Sequence, residues 1–520
     1  MIDAVSLTHA PRLRIKRILT PLGIALSASI LLTGCAVGPD FTKPAPPHVS
    51  EYSTSPVTAT AETANVNGGQ IQRFVSGGDI PSDWWTLFHS PQLNALIEEA
   101  LKNNSDLKAA QAALASAQET TRAQRGAYFP TVTAGYSASR EQDPSASLAP
   151  VPSNNAFRYN LFTPQVSVSF VPDVFGLNRR TVESVQAQEQ AVRYQLIATD
   201  ITLSSNVAAA AIQQASLQAQ LDATRKLIDL NTKIVAILQY QYSKGYASRL
   251  DLAAQESQLA QTTATLPPLR LQLTQHRDQL AVLTGHFPSE APSETVDLAT
   301  LQLPADLPIT LPSKLVEQRP DVLQAEANLH AASAQIGIAE ANRFPNLTLS
   351  GTAGHTGLAV AETFASGSGF WNLAAALTAP IFDGGALKHQ ERAAKANYDQ
   401  AAAQYRSAVL TAFQNVADTL AALDADAQTL NATAKAADAA KLTLDLSQRQ
   451  WKAGYASQLT LLSAEQADLQ TQVALVQAQA SRFADTAALF QALGGGWWNR
   501  ADLATNGSTH NASIRNHDDN

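Results

Sequence analysis

Two stretches decide how this chain is read: "KGYASRLDLAAQ" at Lys244 to Gln255 and "AGYASQLTLLSA" at Ala453 to Ala464. Gly245 and Gly454 stand 209 positions apart, and each is followed by Tyr, Ala and Ser. On the N-terminal side of each lies a long run, Leu177 to Lys244 and Ala386 to Ala453, that contains neither Gly nor Pro. Apolar residues recur at heptad spacing within the first run, as at Leu221, Ile228 and Val235, so both runs read as helix. At 1.5 Å per residue such a helix reaches roughly 100 Å, far beyond what a globular domain accommodates. Gly is the residue that closes a helix through a left-handed C-terminal cap. "SRLD" at Ser248 to Asp251 then opens the next helix as a capping box. The G-Y-A-S stretch is therefore the turn of an antiparallel helical hairpin, written twice.

The repeat extends outward from these turns. Gly176, Gly245 and Gly285 precede Gly385, Gly454 and Gly494 by the same 209 positions, and Phe129-Pro130 is echoed by Phe344-Pro345. A unit of about 200 residues has been duplicated, which is not a short-period solenoid. Each copy reads helix, strand, strand, very long helix, turn, helix. Helix is expected over Pro91 to Phe129, with a break near Asn103 to Ser105. Pro267 and Pro268 interrupt the return helix of the first copy only. "FTPQVSVSFV" (Phe162 to Val171) alternates, with Val166, Val168 and Phe170 on one face and Gln165, Ser167 and Ser169 on the other. "WNLAAALTA" (Trp371 to Ala379) alternates more weakly. Thr131 to Ser139 and Asn346 to Thr352 are the expected partners, with Arg140 to Leu161 and Ala353 to Phe370 as loops. Strands of about ten residues with one apolar and one polar face suit a transmembrane barrel wall. A half-buried hairpin in a soluble sandwich would have the same pattern, and the strands alone do not separate the two.

Composition narrows the function classes. Only 15% of the 520 residues are charged and the net charge is −8, which argues against a nucleic-acid binder, since that needs a basic patch. The His residues show no metal-ligand spacing, and neither a Walker A nor a G-x-S-x-G motif is present, so the chain does not read as an enzyme and no cofactor is expected. The single Cys follows Arg12, Arg14, Lys16, Arg17 and an apolar run from Ile18 to Leu32. These are the n- and h-regions of a secretory signal. "LTGC" at Leu32 to Cys35 resembles a bacterial lipobox, which implies cleavage before Cys35 and lipid on its thiol and amino group. Ala36 after the Cys, by analogy with lipoprotein sorting, favours the outer membrane.

Several longer segments then carry a family resemblance. "DWWTLFHSPQLNALIEEALKNNSDLKAAQAAL" (Asp83 to Leu114), "LPSKLVEQRPDVLQAEANLHAASAQIGIAEANRFPNLTLSG" (Leu311 to Gly351), "APIFDGG" (Ala379 to Gly385) and "ALGGGW" (Ala492 to Trp497) resemble the TolC-like outer membrane factors. "GCAVGPDFTKPAPP" (Gly34 to Pro47) is similar to the mature N-terminus of their NodT-type lipoprotein branch. The resemblance implies a mainly α fold with a transmembrane β-barrel portion: a TolC-like trimeric α/β barrel, four strands per chain, and very long helical hairpins. It implies a homotrimer, a periplasmic adaptor, an inner-membrane RND-type pump and a role as passive exit duct for small molecules. Type I protein secretion is the alternative cargo reading, and a non-conducting helical scaffold the alternative to a duct.

The domain reading is a signal peptide over 1–34, an extended lipid-anchored segment over 35–90, a first repeat over 91–290 and a linker over 291–311. The second repeat covers 312–495, and 496–520 form a polar tail expected to be disordered. The resemblance places Asp251 at the periplasmic constriction, where a trimer would form a ring of like charge; the capping role is compatible with that. At the second turn Thr460 and Ser463 occupy positions where relatives often have Asp. Gly245, Tyr246, Gly454 and Tyr455 carry over as adaptor-docking tips, although the tyrosines suit packing against the turn equally well. Trp84 and Trp85 read as anchors of the N-terminal segment, and Arg319 as the residue before a helix start at Pro320.

Overall fold

The computed structural model describes residues 36–54, 57–144, 157–291 and 295–500. Cys35 and the signal sequence lie outside these residues, as does the tail beyond Arg500. In chain order the elements are β1 (Arg73–Ser76), α1 (Pro91–Asn103), α2 (Ser105–Arg125), β2 (Thr131–Gln142), β3 (Arg158–Phe170) and α3 (Leu177–Ser243). Next come α4 (Arg249–Ala264), α5 (Leu266–Leu283), β4 (Asp306–Ile309), α6 (Pro312–Gln318) and α7 (Pro320–Ala341). The chain ends with β5 (Asn346–His355), β6 (Gly369–Thr378), α8 (Ala386–Lys452) and α9 (Gln458–Ala492). The long helices α3 and α8 each hold 67 residues. The return arm is split into α4 and α5 in the first copy, where the prolines fall, and is one helix in the second. The chain divides into two compact units, one formed by residues up to Thr42 with Glu119–Ala187 and His330–Gln400, the other by the remainder.

The first unit carries a four-stranded antiparallel sheet in the order β2-β3-β5-β6. Its register decides which side chains share a face. Val132 pairs with Val168, Val168 with Gly351, and Gly351 with Leu373; one step on, Val166 pairs with Ala353 and Ala353 with Trp371. All of these lie on one face. The other face carries Thr133, Ser167 and Thr352, and beside them Gln165, Ser169, Ser350 and Asn372. One face is apolar and the other hydroxyl- and amide-lined across the sheet, the pattern of a barrel wall between lipid and a wet lumen. Arginine in place of Val168 is expected to cost about 2–4 kcal/mol near the bilayer midplane, whereas Ser167→Arg on the wet face is tolerated. Thermal unfolding of the two detergent-purified variants checks this, and equal losses would contradict the facing.

The strands of the first hairpin run further than their alternation suggested. β2 extends to Gln142 and β3 starts at Arg158, so residues expected in a loop belong to the ladder. Polar cross-strand pairs carry the extension: Arg158 donates to Gln142 at 2.8 and 3.1 Å, and Tyr159 Oη to Glu141 at 3.2 Å. β5 likewise continues to His355.

The N-terminal strap is fixed in this unit by Arg180 at the start of α3. Its guanidinium donates to Val37 O and Gly38 O at 3.1 Å each, and to Asp40 Oδ1 and Glu183 Oε2 at 2.8 Å. Phe41 stacks on His330 with centroids 4.3 Å apart, and His330 Nε2 meets Glu183 Oε1 at 2.9 Å. Gly38 and Gly337 let the strap approach α7 closely: a Cβ on Gly38 would fall 2.3 Å from Gly337 Cα.

In the second unit the core is aromatic. Trp84 stacks on Phe490 at 5.3 Å, with Phe88 and Phe483 alongside, so the tryptophans anchor the N-terminal segment to α9. β1 and β4 pair in parallel over Arg73–Ser76 and Asp306–Ile309, which makes part of the expected linker a strand. Residues Gly496 to Arg500, placed by the sequence reading in a disordered tail, are packed here. Trp497 Nε1 donates to Gln318 O at 2.7 Å, Trp498 Nε1 to Asp79 at 2.9 Å, and Arg500 to Asp200 at 2.8 Å. Arg319 precedes α7 as expected, and also bridges Asp321 to the Ala492 carbonyl.

Candidate functional site

The two hairpin turns are built alike. Gly245 and Gly454 have φ of 77° and 78°, the left-handed region that a Cβ penalises. Tyr246 N donates to Gln241 O and Tyr455 N to Gln450 O, each at 2.8 Å, the long bond of a Schellman cap. Ser248 and Ser457 then open α4 and α9 as N-caps, accepting from the amides of Asp251 and Thr460 at 3.1 Å. Asp251 and Thr460 are thus the same position in the two copies.

Their chemistry differs. Asp251 Oδ2 accepts from Ser248 Oγ at 2.7 Å and from Ser248 N at 3.2 Å, completing the capping box. The Ser248 hydroxyl first, and its amide second, hold the Asp251 carboxyl below its ordinary 3.8. A group so held stays ionised at neutral pH in the single chain. Cation selectivity of the reconstituted protein is expected to stay constant between about pH 5 and 8; a midpoint inside that range would contradict this. Ser248→Ala removes the cap and is expected to cost about 1 kcal/mol. At the second turn Thr460 Oγ1 meets Ser457 Oγ at 2.9 Å and Ser463 Oγ donates to Leu459 O at 3.0 Å, an uncharged version of the same corner.

Tyr246 is 84% and Tyr455 88% exposed. They do not pack against the turn. With Leu250, also exposed, they give the turns an apolar, aromatic surface.

The sequence reading missed what holds the two hairpins together near these turns. Leu230, Ile234 and Leu238 of α3, Leu252 of α4 and Leu462 of α9 form one buried cluster, with Val235, Leu459 and Leu469 packed against it. The signal was available in the i, i+4, i+8 spacing of Leu230, Ile234 and Leu238, but nothing in the sequence says which partner that stripe meets.

The chain thus has two long hairpins with duplicated caps, and a sheet with one apolar and one polar face. The profile of the outer membrane efflux protein family matches residues 96–286 and 311–495. The chain belongs to that family. It is 30% identical over 487 residues to the toluene efflux pump outer membrane protein TtgC of Pseudomonas putida, covering 93% of this chain and 97% of that one. It is 31% identical over 422 residues to the pyoverdine export outer membrane protein OpmQ of Pseudomonas aeruginosa, covering 80% and 87%. Among solved structures, the outer-membrane channel OprN superposes with a TM-score of 0.76 at 25% identity, over 89% of this chain and all of that one. This outer membrane efflux protein therefore has the TolC-like fold and is the outer-membrane exit duct of an efflux system. Among the described residues no helix is long and apolar enough to cross a membrane.

Proposed function

We propose that three copies of this chain close one barrel and one periplasmic tunnel, and that the assembly conducts small molecules passively outward. A periplasmic adaptor and an inner-membrane RND-type pump would deliver the cargo, and the duct itself would carry out no chemistry. The observation that carries this reading is the sheet: four strands with one lipid-type face, and β2 and β6 left as unpaired edges. Open edges do not persist in lipid, and single-chain barrels use about eight or more strands, so a four-stranded contribution requires other chains. Three is the number that the family resemblance implies.

In this assembly Gly245, Tyr246, Gly454 and Tyr455 are the adaptor-docking tips, supported by the exposed tyrosines. Asp251, Thr460 and Ser463 line the entrance, with fixed negative charge from the first turn alone. Cys35 carries the covalent lipid that holds the N-terminus in the outer membrane. The relatives named for toluene and pyoverdine handle small organic molecules, which favours that cargo class over secreted protein. A photoreactive residue at Tyr246 or Tyr455 is expected to capture a periplasmic adaptor in cells. Deleting the chain is expected to raise intracellular accumulation of apolar dyes, reversed by the wild type but not by Val168→Arg. Unchanged accumulation in the deletion strain would refute the small-molecule duct, and cross-links only to unrelated proteins would refute tip docking.

A further inference from the structure

The duplication carries the register of the sheet past the chain's own edges. Landmarks of the two copies recur at two spacings. Phe129-Pro130 before β2 returns 215 positions on as Phe344-Pro345 before β5, and Gly176 after β3 returns 209 on as Gly385 after β6. The hairpins obey the same spacings. Thr131 pairs with Ser169 in the first, and Asn346 with Thr378 in the second, so β2 moves by 215 and its partner β3 by 209. β5 is therefore the counterpart of β2, and β6 that of β3, residue for residue.

The joint between the copies, β3 against β5, lies inside the chain. Val168 pairs with Gly351, Ser169 with Ser350 and Ser167 with Thr352. An aromatic contact ties its base: Phe175, in the turn from β3 to α3, stacks on Phe344, between α7 and β5, with centroids 4.9 Å apart. The counterpart of this joint is β6 against β2, the two outer strands of the sheet. Its apolar groups are present and bare. Gly384 stands where Phe175 would, but Phe382 and Ile381, two and three positions earlier in the same turn, are 91% and 100% exposed. Phe129, the counterpart of Phe344, is 70% exposed on the opposite edge. Both halves of a clasp are thus laid out, one on each edge, and a second copy of this chain would cover them.

We infer that β6 of one copy pairs antiparallel with β2 of the next in the register copied from β3 and β5. This rests on the shared barrel proposed above and adds which residues meet. Moving the internal pairs by the two spacings sets Leu377 opposite Tyr136, Thr378 opposite Gly135 and Ala376 opposite Ser137 of the neighbouring copy. The faces agree. Leu377 and Tyr136 both come from the apolar face, and Thr378 and Gly135 both from the polar one. A slip of one residue would turn every side chain of one strand to the wrong face. The pairing is head-to-tail, the kind that generates a ring when its rotation closes.

The test is disulfide formation between engineered cysteines in the full-length detergent-purified protein, read as covalent multimers on denaturing gels after mild oxidation. Thr378→Cys with Gly135→Cys is the copied pair, and a Cβ on Gly135 meets nothing within 4 Å in its own chain. Opposite residues of antiparallel strands lie about 4.5–5.5 Å apart, within reach of a disulfide, whereas neighbours two along lie about 7–8 Å away. Thr378→Cys is therefore expected to link roughly tenfold more chains with Gly135→Cys than with Thr133→Cys or Ser137→Cys. Thr378→Cys alone is the blank for Cys35. Ser169→Cys with Ser350→Cys, the internal counterpart, closes within one chain and adds no multimer. Should the Gly135→Cys variant fail to fold, Ala376→Cys with Ser137→Cys reads the same register. Multimers from the copied pair support the inference. Multimers from a shifted pair overturn the register and leave the shared barrel standing, as does a protein that light scattering finds multimeric but that no pair links. A monomer that no pair links overturns both.

Discussion

Arg180→Ala is expected to release the strap from Val37 to Phe41 and to lower the stability of the unit that carries the sheet by about 3 kcal/mol, the scale for breaking a buried charge network. The arginine is almost wholly buried and four acceptors depend on it: two strap carbonyls, Asp40 and Glu183. Alanine supplies no donor for the carbonyls, and water must enter or the strap must leave. The amide of Val37, which donates to Phe175 O at 3.1 Å, is the reporter. If the strap detaches at that cost, its exchange speeds up about a hundredfold, since each 1.4 kcal/mol is a factor of ten. Arg180→Lys keeps the charge but cannot reproduce a fork that serves several acceptors, so it should fall between wild type and alanine. The strap also has a pH limit. The His330 bond first, and the Arg180 bonds with it, hold Glu183 below its ordinary 4.5. The contribution of Glu183 is therefore complete above 4.5 and lost as pH falls towards the depressed folded value. Unchanged exchange at Val37 in Arg180→Ala would show that Phe41 and the glycine contact hold the strap unaided.

What the sequence disclosed, and what it hid, follows from the range of the physics involved. The glycines 209 apart were legible because a left-handed turn restricts the choice of residue at one position, independent of context. β3 was legible because a sheet with unlike faces imposes strict alternation, and Val166, Val168 and Phe170 keep to it. β1 and β4 were not: four residues pairing in parallel, across more than two hundred positions, leave no period to read. The upper parts of β2 and β3 were hidden because polar ladder contacts, not apolar alternation, continue them. Long-range side-chain partners were the least legible. Arg180 reads as an ordinary first-turn residue until Val37 and Gly38 are brought to it. At the turns the types of residue were read from the resemblance, but whether Tyr246 and Tyr455 packed or projected depended on the geometry of the cap.

Leu252→Ala is expected to loosen the contact between the two hairpins and to raise the open population of the duct. Leu252 is 1% exposed and sits among Leu230, Ile234, Leu238 and Leu462, so truncation should cost about 2–5 kcal/mol. The contribution that matters for conduction is the part lost from the packed arrangement but not from one with the hairpins apart. Leu462 brings the second hairpin into a cluster otherwise built from the first, so part of the loss falls on the packed arrangement. A differential of about 2 kcal/mol multiplies the open fraction roughly thirtyfold. Leu462→Ala should act in the same direction, and the double variant should gain less than the sum of the two, since both belong to one buried cluster. Leu252→Met conserves volume and should change little. Single-channel recording in planar bilayers reads the open fraction directly, and entry of bulky antibiotics into cells reads it in vivo. Asp251→Asn provides the contrast: it should alter cation selectivity, because it removes charge, and leave the open fraction near that of wild type, because Asp251 faces Ser248 and not the other hairpin. If Asp251→Asn opens the duct while Leu252→Ala does not, the hairpins are held by charge at the entrance and the apolar cluster is only helix packing.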